Sequence, residues 1–180
     1  MRAALAPAEA SLLRSLVGQV ITLIAPDGPL PRPAGDPNTG AALTGDLLDW
    51  ELEFDHQPET PEDPVLARLL PDGYRDDPDA SQEFRRYTEP GLRSAKQQAA
   101  QEMLDTLPEA GGKIQLTHDQ AQAWLKALND VRLALGVRLN VTEEFEEQWS
   151  RLAADDPQWA AYEVYAWLGA VQESLVQALA

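Results

Sequence analysis

The 180-residue sequence contains no cysteine and only two histidines. Without thiols, these residues cannot form a disulfide bond, a thiolate metal site or a cysteine nucleophile, and the composition suits a reducing compartment. Two histidines and no cysteine also leave too few ligands for the usual zinc sites. We therefore predict neither a metal nor another cofactor.

Positive charge is scarce too, because 14 Lys and Arg face 30 Asp and Glu and give a formal net charge of -16 at pH 7. A surface this acidic repels phosphate backbones and anionic membranes, so we expect neither nucleic-acid binding nor membrane binding. The longest uncharged run near the N-terminus, residues 15–26, is too short to cross a bilayer. A soluble cytoplasmic protein is the expectation.

The common catalytic motifs are missing as well. Gly111 and Gly112 are predicted to form a turn, because a phosphate-binding loop needs spaced glycines ahead of a helix. No Gly-x-Ser-x-Gly elbow is present. Glu53 and His56 have the spacing of one half of a di-iron site, but the second Glu-x-x-His copy that such a site requires is absent. A non-enzymatic function is therefore favoured.

The sequence does contain long amphipathic helices. In residues 117–139, apolar side chains recur at steps of three and four and predict a helix with a broad buried face. Thr117 followed by Gln120 predicts a capping box at its start. Residues 166–173 nearly repeat residues 123–130, so we predict that the two tryptophan-containing helices form the central packed pair.

Helical patterns cover most of the remaining chain, including residues 8–24, a short helix after Pro64 and a stretch in which Pro90 either kinks one helix or starts another. The predicted fold is an all-α single domain over residues 1–180, with five or six helices and at most a tiny two-stranded β piece. The predicted core comprises Leu16, Val20, Leu66, Leu69, Phe84, Trp124, Leu128, Val131, Leu135, Leu168, Val171 and Leu175.

Two stretches interrupt the helices, a Pro/Gly-rich loop at about residues 25–45 and an acidic segment at about residues 46–63. Within the acidic segment, residues 50–55 alternate apolar and acidic side chains. This alternation fits either a short edge strand or a segment that docks onto a partner. As a strand, it could pair with a second extended stretch at residues 113–116.

Four of the scarce positive residues gather on one predicted helix, namely Arg85, Arg86, Arg93 and Lys96. As a functional site, this basic patch could receive an acidic peptide or a phosphate group. As a structural feature, it would neutralise the protein's own acids, including those of the acidic segment. The structural interpretation is favoured, and the patch is kept as a candidate binding site.

The second candidate site is a polar cluster on the two tryptophan-containing helices, consisting of Asn129, Asp130, Arg132, Gln172 and Glu173. If these helices pack antiparallel, Asp130 and Glu173 could face each other, and one pKa would rise as a general acid requires. In the alternative, nearby arginines neutralise the carboxylates in a structural ion-pair network. The structural alternative is favoured here as well.

Several stretches taken together resemble one known family. They are the first helix and residues 63–74, 83–86, 124–133 and 167–175. This combination resembles the actinobacterial domain-of-unknown-function family two-thousand-seventeen. The resemblance implies a small acidic protein that is often encoded near the ClpS adaptor of the Clp protease, and it provides no catalytic residues to carry over.

Three functions remain open from these observations. The first is a non-enzymatic binding or regulatory protein with a protein partner, linked through the resemblance to Clp-type proteolysis. The second is an enzyme or small-molecule binder that uses the carboxylate pair between the tryptophan-containing helices. The third is a homodimer that buries Trp159, Tyr162 or Trp167, because four of the five tryptophans lie in residues 121–180.

Overall fold

The computed structural model describes residues 2–25, 61–74, 76–153, 155–156 and 158–180. Within these ranges the chain forms six helices and one two-stranded sheet, so the all-α prediction with a tiny β piece is confirmed. In chain order the elements are β1 (Arg2–Leu5), α1 (Pro7–Ile24), α2 (Pro64–Leu69), α3 (Pro78–Thr106), β2 (Gly112–Gln115), α4 (His118–Arg138), α5 (Phe145–Ser150) and α6 (Trp159–Leu179). Most of the predicted Pro/Gly-rich loop and acidic segment, including Glu53 and His56, lies outside the described residues.

The starts of three helices are set by local sequence. Asp63 and Asp77 each accept hydrogen bonds from N–H groups of the first turn, and a proline follows each of them at the first helical position. At the start of α4, the Gln120 N–H donates to Thr117 Oγ1 at 3.2 Å and the Thr117 N–H donates to Gln120 Oε1 at 3.0 Å. The predicted capping box is therefore confirmed.

Helix α4 lies at the centre of the fold, because it contacts α1, α2, α3 and α6. It runs antiparallel to α6, since the Tyr162 hydroxyl near the start of α6 donates to the Leu139 carbonyl at the end of α4. Further along both helices, Arg132 donates to Gln172. The predicted pairing of the two tryptophan-containing helices is confirmed. Trp124 is buried between α4 and α3, and its indole N–H donates to Thr106 Oγ1 at 2.7 Å.

The core is made mainly by apolar side chains of α1, α2, α3, α4 and α6, with contributions from β2 and from residues next to the helices. Its largest fully buried members are Leu13, Val17, Ile24, Leu69, Leu70, Met103, Leu128, Leu168 and Leu175. Most predicted core residues are buried or pack against this cluster. Phe84 is an error of the prediction, since 46% of it is exposed. On that stretch, α3 turns the charged side chains of Arg85 and Glu89 inward instead.

Strand β2 pairs antiparallel with β1, and Ala3 lies opposite Ile114. The extended stretch predicted at residues 113–116 is therefore a strand, and the partner that the structure gives it is the N-terminal segment. Gly111 makes this arrangement sterically possible. It has a φ of +73°, and a Cβ there would lie 2.7 Å from the Pro7 nitrogen and 2.8 Å from the Leu5 carbonyl oxygen. Only glycine fits such a position without strain.

Helix α3 continues unbroken for 29 residues, so Pro90 lies inside one helix and does not start another. The helix is long enough to span a bilayer, yet charged residues occur along its whole length. Among the described helices, none combines the length and the apolar character that crossing a membrane requires.

Candidate functional site

Arg85 of the predicted basic patch points into the protein and is only 5% exposed. Its Nη1 donates to Glu89 Oε2 at 2.6 Å, and its Nη2 donates to Asp72 Oδ1 and, at 3.1 Å, to the Leu70 carbonyl. Burial alone would lower the pKa of Arg85, but the hydrogen bonds and charges of Asp72 and Glu89 outweigh burial and raise it. The charge of Arg85 is therefore balanced by Asp72 and Glu89 within the protein, which makes Arg85 a structural residue.

Glu89 extends this arrangement to Arg93. Arg93 Nε donates to Glu89 Oε1 at 2.8 Å. The buried carboxylate of Glu89 therefore binds two arginines, one four residues before it and one four residues after it. Arg93 Nη1 also donates to the Ile24 carbonyl at 3.0 Å and thereby satisfies the end of α1. We call Arg85, Glu89 and Arg93 the arginine ladder. Through Arg93 it connects the end of α1 to α3, and through Arg85 it connects the stretch that follows α2 to α3.

Lys96 and Asp130 form a separate ion pair between α3 and α4. Lys96 Nζ donates to Asp130 Oδ1 at 2.6 Å, and Asp130 is only 4% exposed. Burial raises the pKa of the Asp130 carboxyl above its ordinary value, while the hydrogen bond and charge of Lys96 oppose that rise without cancelling it. Asp130 thus faces α3 and not the carboxylate of Glu173.

The predicted basic patch is therefore divided by the structure. Arg85, Arg93 and Lys96 each have a carboxylate partner within the protein. Arg86, their sequence neighbour, is exposed. The spacing Arg85-x-x-x-Glu89-x-x-x-Arg93 was a visible signal for the ladder, because residues four apart share a helix face.

The predicted polar cluster is divided in a similar way. Asn129 and Glu173 are exposed, and Glu173 accepts a hydrogen bond from Gln177 of its own helix. The structure joins Arg132 and Gln172, since Arg132 Nη1 donates to Gln172 Oε1 at 2.7 Å. The Arg132 guanidinium also lies over the Tyr165 ring, 5.0 Å from its centroid, at cation–π distance.

Arg132 lines a groove between α2, α4 and α6 that has about 320 Å³ of open volume. We call it the Arg132 groove. Its lining residues are Arg68, Arg132, Leu133, Gly136, Val137, Asn140, Val141 and Tyr165. Sequence reasoning selected Arg132 but missed Arg68 and Tyr165, because no local pattern connects three residues on three different helices.

Aromatic stacking fixes the helices beside the Arg132 groove. The Phe145 ring of α5 stacks on Tyr162 with centroids 5.4 Å apart and lies 4.9 Å from Tyr165. Trp149 packs against Trp159 at 5.6 Å. Tyr162 is buried inside its own chain, which removes it from the side chains that a homodimer interface could use.

A second surface feature consists of exposed apolar side chains on α3 and on the loop before it. These side chains are Tyr74, Phe84, Tyr87 and Leu92, and we call them the aromatic patch. Tyr74 and Phe84 meet edge to face at 5.8 Å. A Cβ on Gly73 would approach the Phe84 ring to 2.5 Å, so the ring rests directly on the backbone there. Exposed apolar clusters of this kind are typical of interaction sites.

The described part of the chain contains no group of three histidine or acidic side chains that could hold a metal ion. The Lys96–Asp130 ion pair and the Arg93–Ile24 hydrogen bond connect different helices. Among the described residues, two surface features that could receive a ligand or partner are the Arg132 groove and the aromatic patch.

Comparison with known proteins identifies the family. Residues 1–179 match the family described as "Domain of unknown function (DUF2017)". The chain belongs to this family. A protein of Mycobacterium tuberculosis (strain ATCC 25618 / H37Rv) named "Oxidative stress regulator AosR" is 41% identical over a match of 191 aligned positions, which covers 99% of this chain and 81% of that protein. A relative from Mycobacterium leprae (strain TN) is 38% identical over 191 residues, 99% of this chain and 82% of its own. No solved structure matches the chain.

Proposed function

We propose that the protein is a non-enzymatic cytoplasmic regulator that acts by binding another protein in the response to oxidative conditions. The observation that carries this proposal is the similarity to oxidative stress regulators over 99% of the chain. The inward-facing Arg85, Arg93 and Asp130 support it, because these charged groups stabilise the fold and are not arranged around a substrate cavity.

The proposed regulator does not sense oxidants through its own thiols, because the sequence contains no cysteine. Methionine is the other readily oxidised residue, and the sequence has two. Met103 is fully buried in the core, where an oxidant cannot reach it. We infer that the oxidative signal reaches this protein through a partner or a bound ligand, and not through a thiol or Met103.

The aromatic patch is the surface that best fits the partner. Aromatic side chains are enriched at protein interfaces, and Tyr87 is 71% exposed while Phe84 is 46% exposed. The net charge of -16 favours a basic protein over an acidic one, since long-range attraction speeds association. The link to Clp-type proteolysis that the resemblance implies is a narrower version of the same proposal.

The test is a pull-down from actinobacterial lysate, prepared with and without peroxide treatment, using the full chain as bait. Tyr87→Ser removes one exposed ring and no core contact. Val176→Ser is the matched control, because Val176 is an exposed apolar residue (45%) on a different helix. We expect one protein that wild type and Val176→Ser recover alike and that Tyr87→Ser recovers about fivefold less or worse.

The recovered protein is then purified and titrated against all three baits to measure direct affinity. Its identity decides whether it belongs to the Clp machinery. The proposal is contradicted if wild type retains no more than an unrelated acidic protein does. Equal recovery by Tyr87→Ser would remove the aromatic patch from the proposal.

A further inference from the structure

The positive charge of Arg132 has no counter-ion in the described part of the chain, where no carboxylate forms an ion pair with it. Its hydrogen-bond partner, Gln172, is neutral. Its Nε is enclosed by protein and has no acceptor. Unpaired buried donors are rare in folded proteins, and each one calls for a specific explanation such as a bound water or ion.

Arg68 brings a second guanidinium to the same groove. It is exposed at the end of α2, and within the described residues it too lacks an ion-pair partner. The forked donors of arginine match the oxygens of carboxylate and phosphate groups. In a chain with a net charge of -16, two unneutralised arginines on one groove are a local exception that favours anions.

The rest of the groove is suited to a small apolar body. Leu133, Val137 and Val141 contribute aliphatic surface, and Asn140 adds one amide. The open volume of about 320 Å³ lies at the lower end of the range for small-molecule sites. A ligand of this size would carry one anionic group and a short chain or single ring.

Two glycines keep the packing around Arg132 and Tyr165 close. A Cβ on Gly169 would lie 3.7 Å from Arg132 Cζ, and a Cβ on Gly136 would lie 3.5 Å from Tyr165 Cε2. A methyl group fits at either position, but a longer side chain would displace the guanidinium or the ring. The helices α4 and α6 thus hold Arg132 in a fixed orientation at the groove.

We propose that the Arg132 groove binds a small anionic molecule, whose carboxylate or phosphate oxygens contact Arg132 and Arg68 and whose apolar body lies on Leu133 and Val137. The proposal does not depend on the protein partner or on the aromatic patch. It would give the protein a site for a low-molecular-weight signal.

The test is calorimetric titration of the full chain with three probes at constant ionic strength. Inorganic phosphate supplies the anion alone, phenyl phosphate supplies the anion with a ring, and phenol supplies the ring alone. We expect saturable binding of one phenyl phosphate, about fivefold tighter than inorganic phosphate, and no measurable binding of phenol.

Variants locate the bound anion. Arg132→Gln and Arg68→Gln should each weaken phenyl phosphate binding by about tenfold or more. Arg138→Gln is the matched control, because Arg138 is an exposed arginine of the same helix that does not line the groove, and it should change affinity by less than about twofold. Arg68 is exposed, so its variant keeps the test valid even if Arg132→Gln fails to fold.

Three results would overturn the proposal. The first is the absence of saturable binding by either phosphate probe. The second is an equal loss of affinity in Arg138→Gln and Arg132→Gln, which would reveal a general charge effect. The third is unchanged phenyl phosphate affinity in both single variants, Arg68→Gln and Arg132→Gln, once circular dichroism has shown that each is folded.

Discussion

The arginine ladder and the Arg132 groove both place arginines between helices, yet they satisfy them in opposite ways. Arg85 and Arg93 share the buried carboxylate of Glu89, and Arg85 also binds Asp72. Among the described residues, the partners of Arg132 are a neutral amide and an aromatic ring. Clustering of positive residues along a sequence therefore does not by itself identify a binding site. The informative feature is a cation that the protein leaves without a counter-ion.

The largest expected change in the free energy of unfolding comes from a substitution in the arginine ladder. Glu89→Gln leaves Arg85 and Arg93 without their shared negative charge, and we expect the free energy of unfolding to fall by about 3 kcal/mol. Urea unfolding at pH 7 measures this change. Glu83→Gln, an exposed site on the same helix, should change it by less than about 0.5 kcal/mol. A Glu89→Gln protein as stable as wild type would show that the ladder is not structural.

The Lys96–Asp130 pair should give an intermediate effect. Lys96→Met leaves a buried carboxylate without its cation, and we expect a loss of about 2 kcal/mol at pH 7. Lys126→Met, at an exposed lysine of α4, is the matched control and should be nearly neutral. Equal losses in the two variants, measured by urea unfolding, would contradict a specific role for the pair.

The pH dependence of stability tests the same pair with a defined sign. Because burial raises the pKa of Asp130 above 3.8, the folded protein keeps a proton there that the unfolded chain has released, but only at pH values between the unfolded and the folded pKa. The contribution of Asp130 to stability is therefore greatest at low pH and is lost as pH rises through the folded pKa. The free energy of unfolding of wild type minus that of Asp130→Asn should fall from about pH 4 towards neutrality. A rise over that interval would contradict the raised pKa.

The smallest expected change in stability is at the groove. Arg132→Gln removes one hydrogen bond to a neutral amide and one cation–π contact, and it also removes an unpaired buried donor. These effects partly cancel, so we expect a change in the free energy of unfolding of less than about 1 kcal/mol. If Arg132→Gln lowered the free energy of unfolding as much as Glu89→Gln does, Arg132 would be a structural residue like those of the arginine ladder.

The elements whose signals are local were predictable from the sequence. The Thr117–Gln120 capping box and the aspartate–proline helix starts lie within four residues of the backbone groups that they satisfy. The packing of α4 against α6 also followed, because both helices carry the same apolar and tryptophan pattern, whereas their antiparallel orientation is established by the structure.

The features that depend on long-range contacts were not predictable. The pairing of β1 with β2 joins residues more than 100 positions apart, and the groove joins Arg68, Arg132 and Tyr165 from three helices. On α3, apolarity placed Phe84 in the core, while the structure buries Arg85. The reason is physical: Asp72 and Glu89 compensate the buried guanidinium, and Asp72 lies in a loop whose position no helical pattern specifies.

The most direct test of the central comparison is a titration of the full chain with phenyl phosphate, followed by NMR of the arginine Nε–H signals. The enclosed Nε–H of Arg132 should exchange slowly with water and give an observable signal, assigned from its loss in Arg132→Gln. The account predicts that this signal shifts in a saturable manner while those of Arg85 and Arg93 stay fixed, because both already bind Glu89. An unmoved Arg132 signal, or equal shifts of all three, would contradict it.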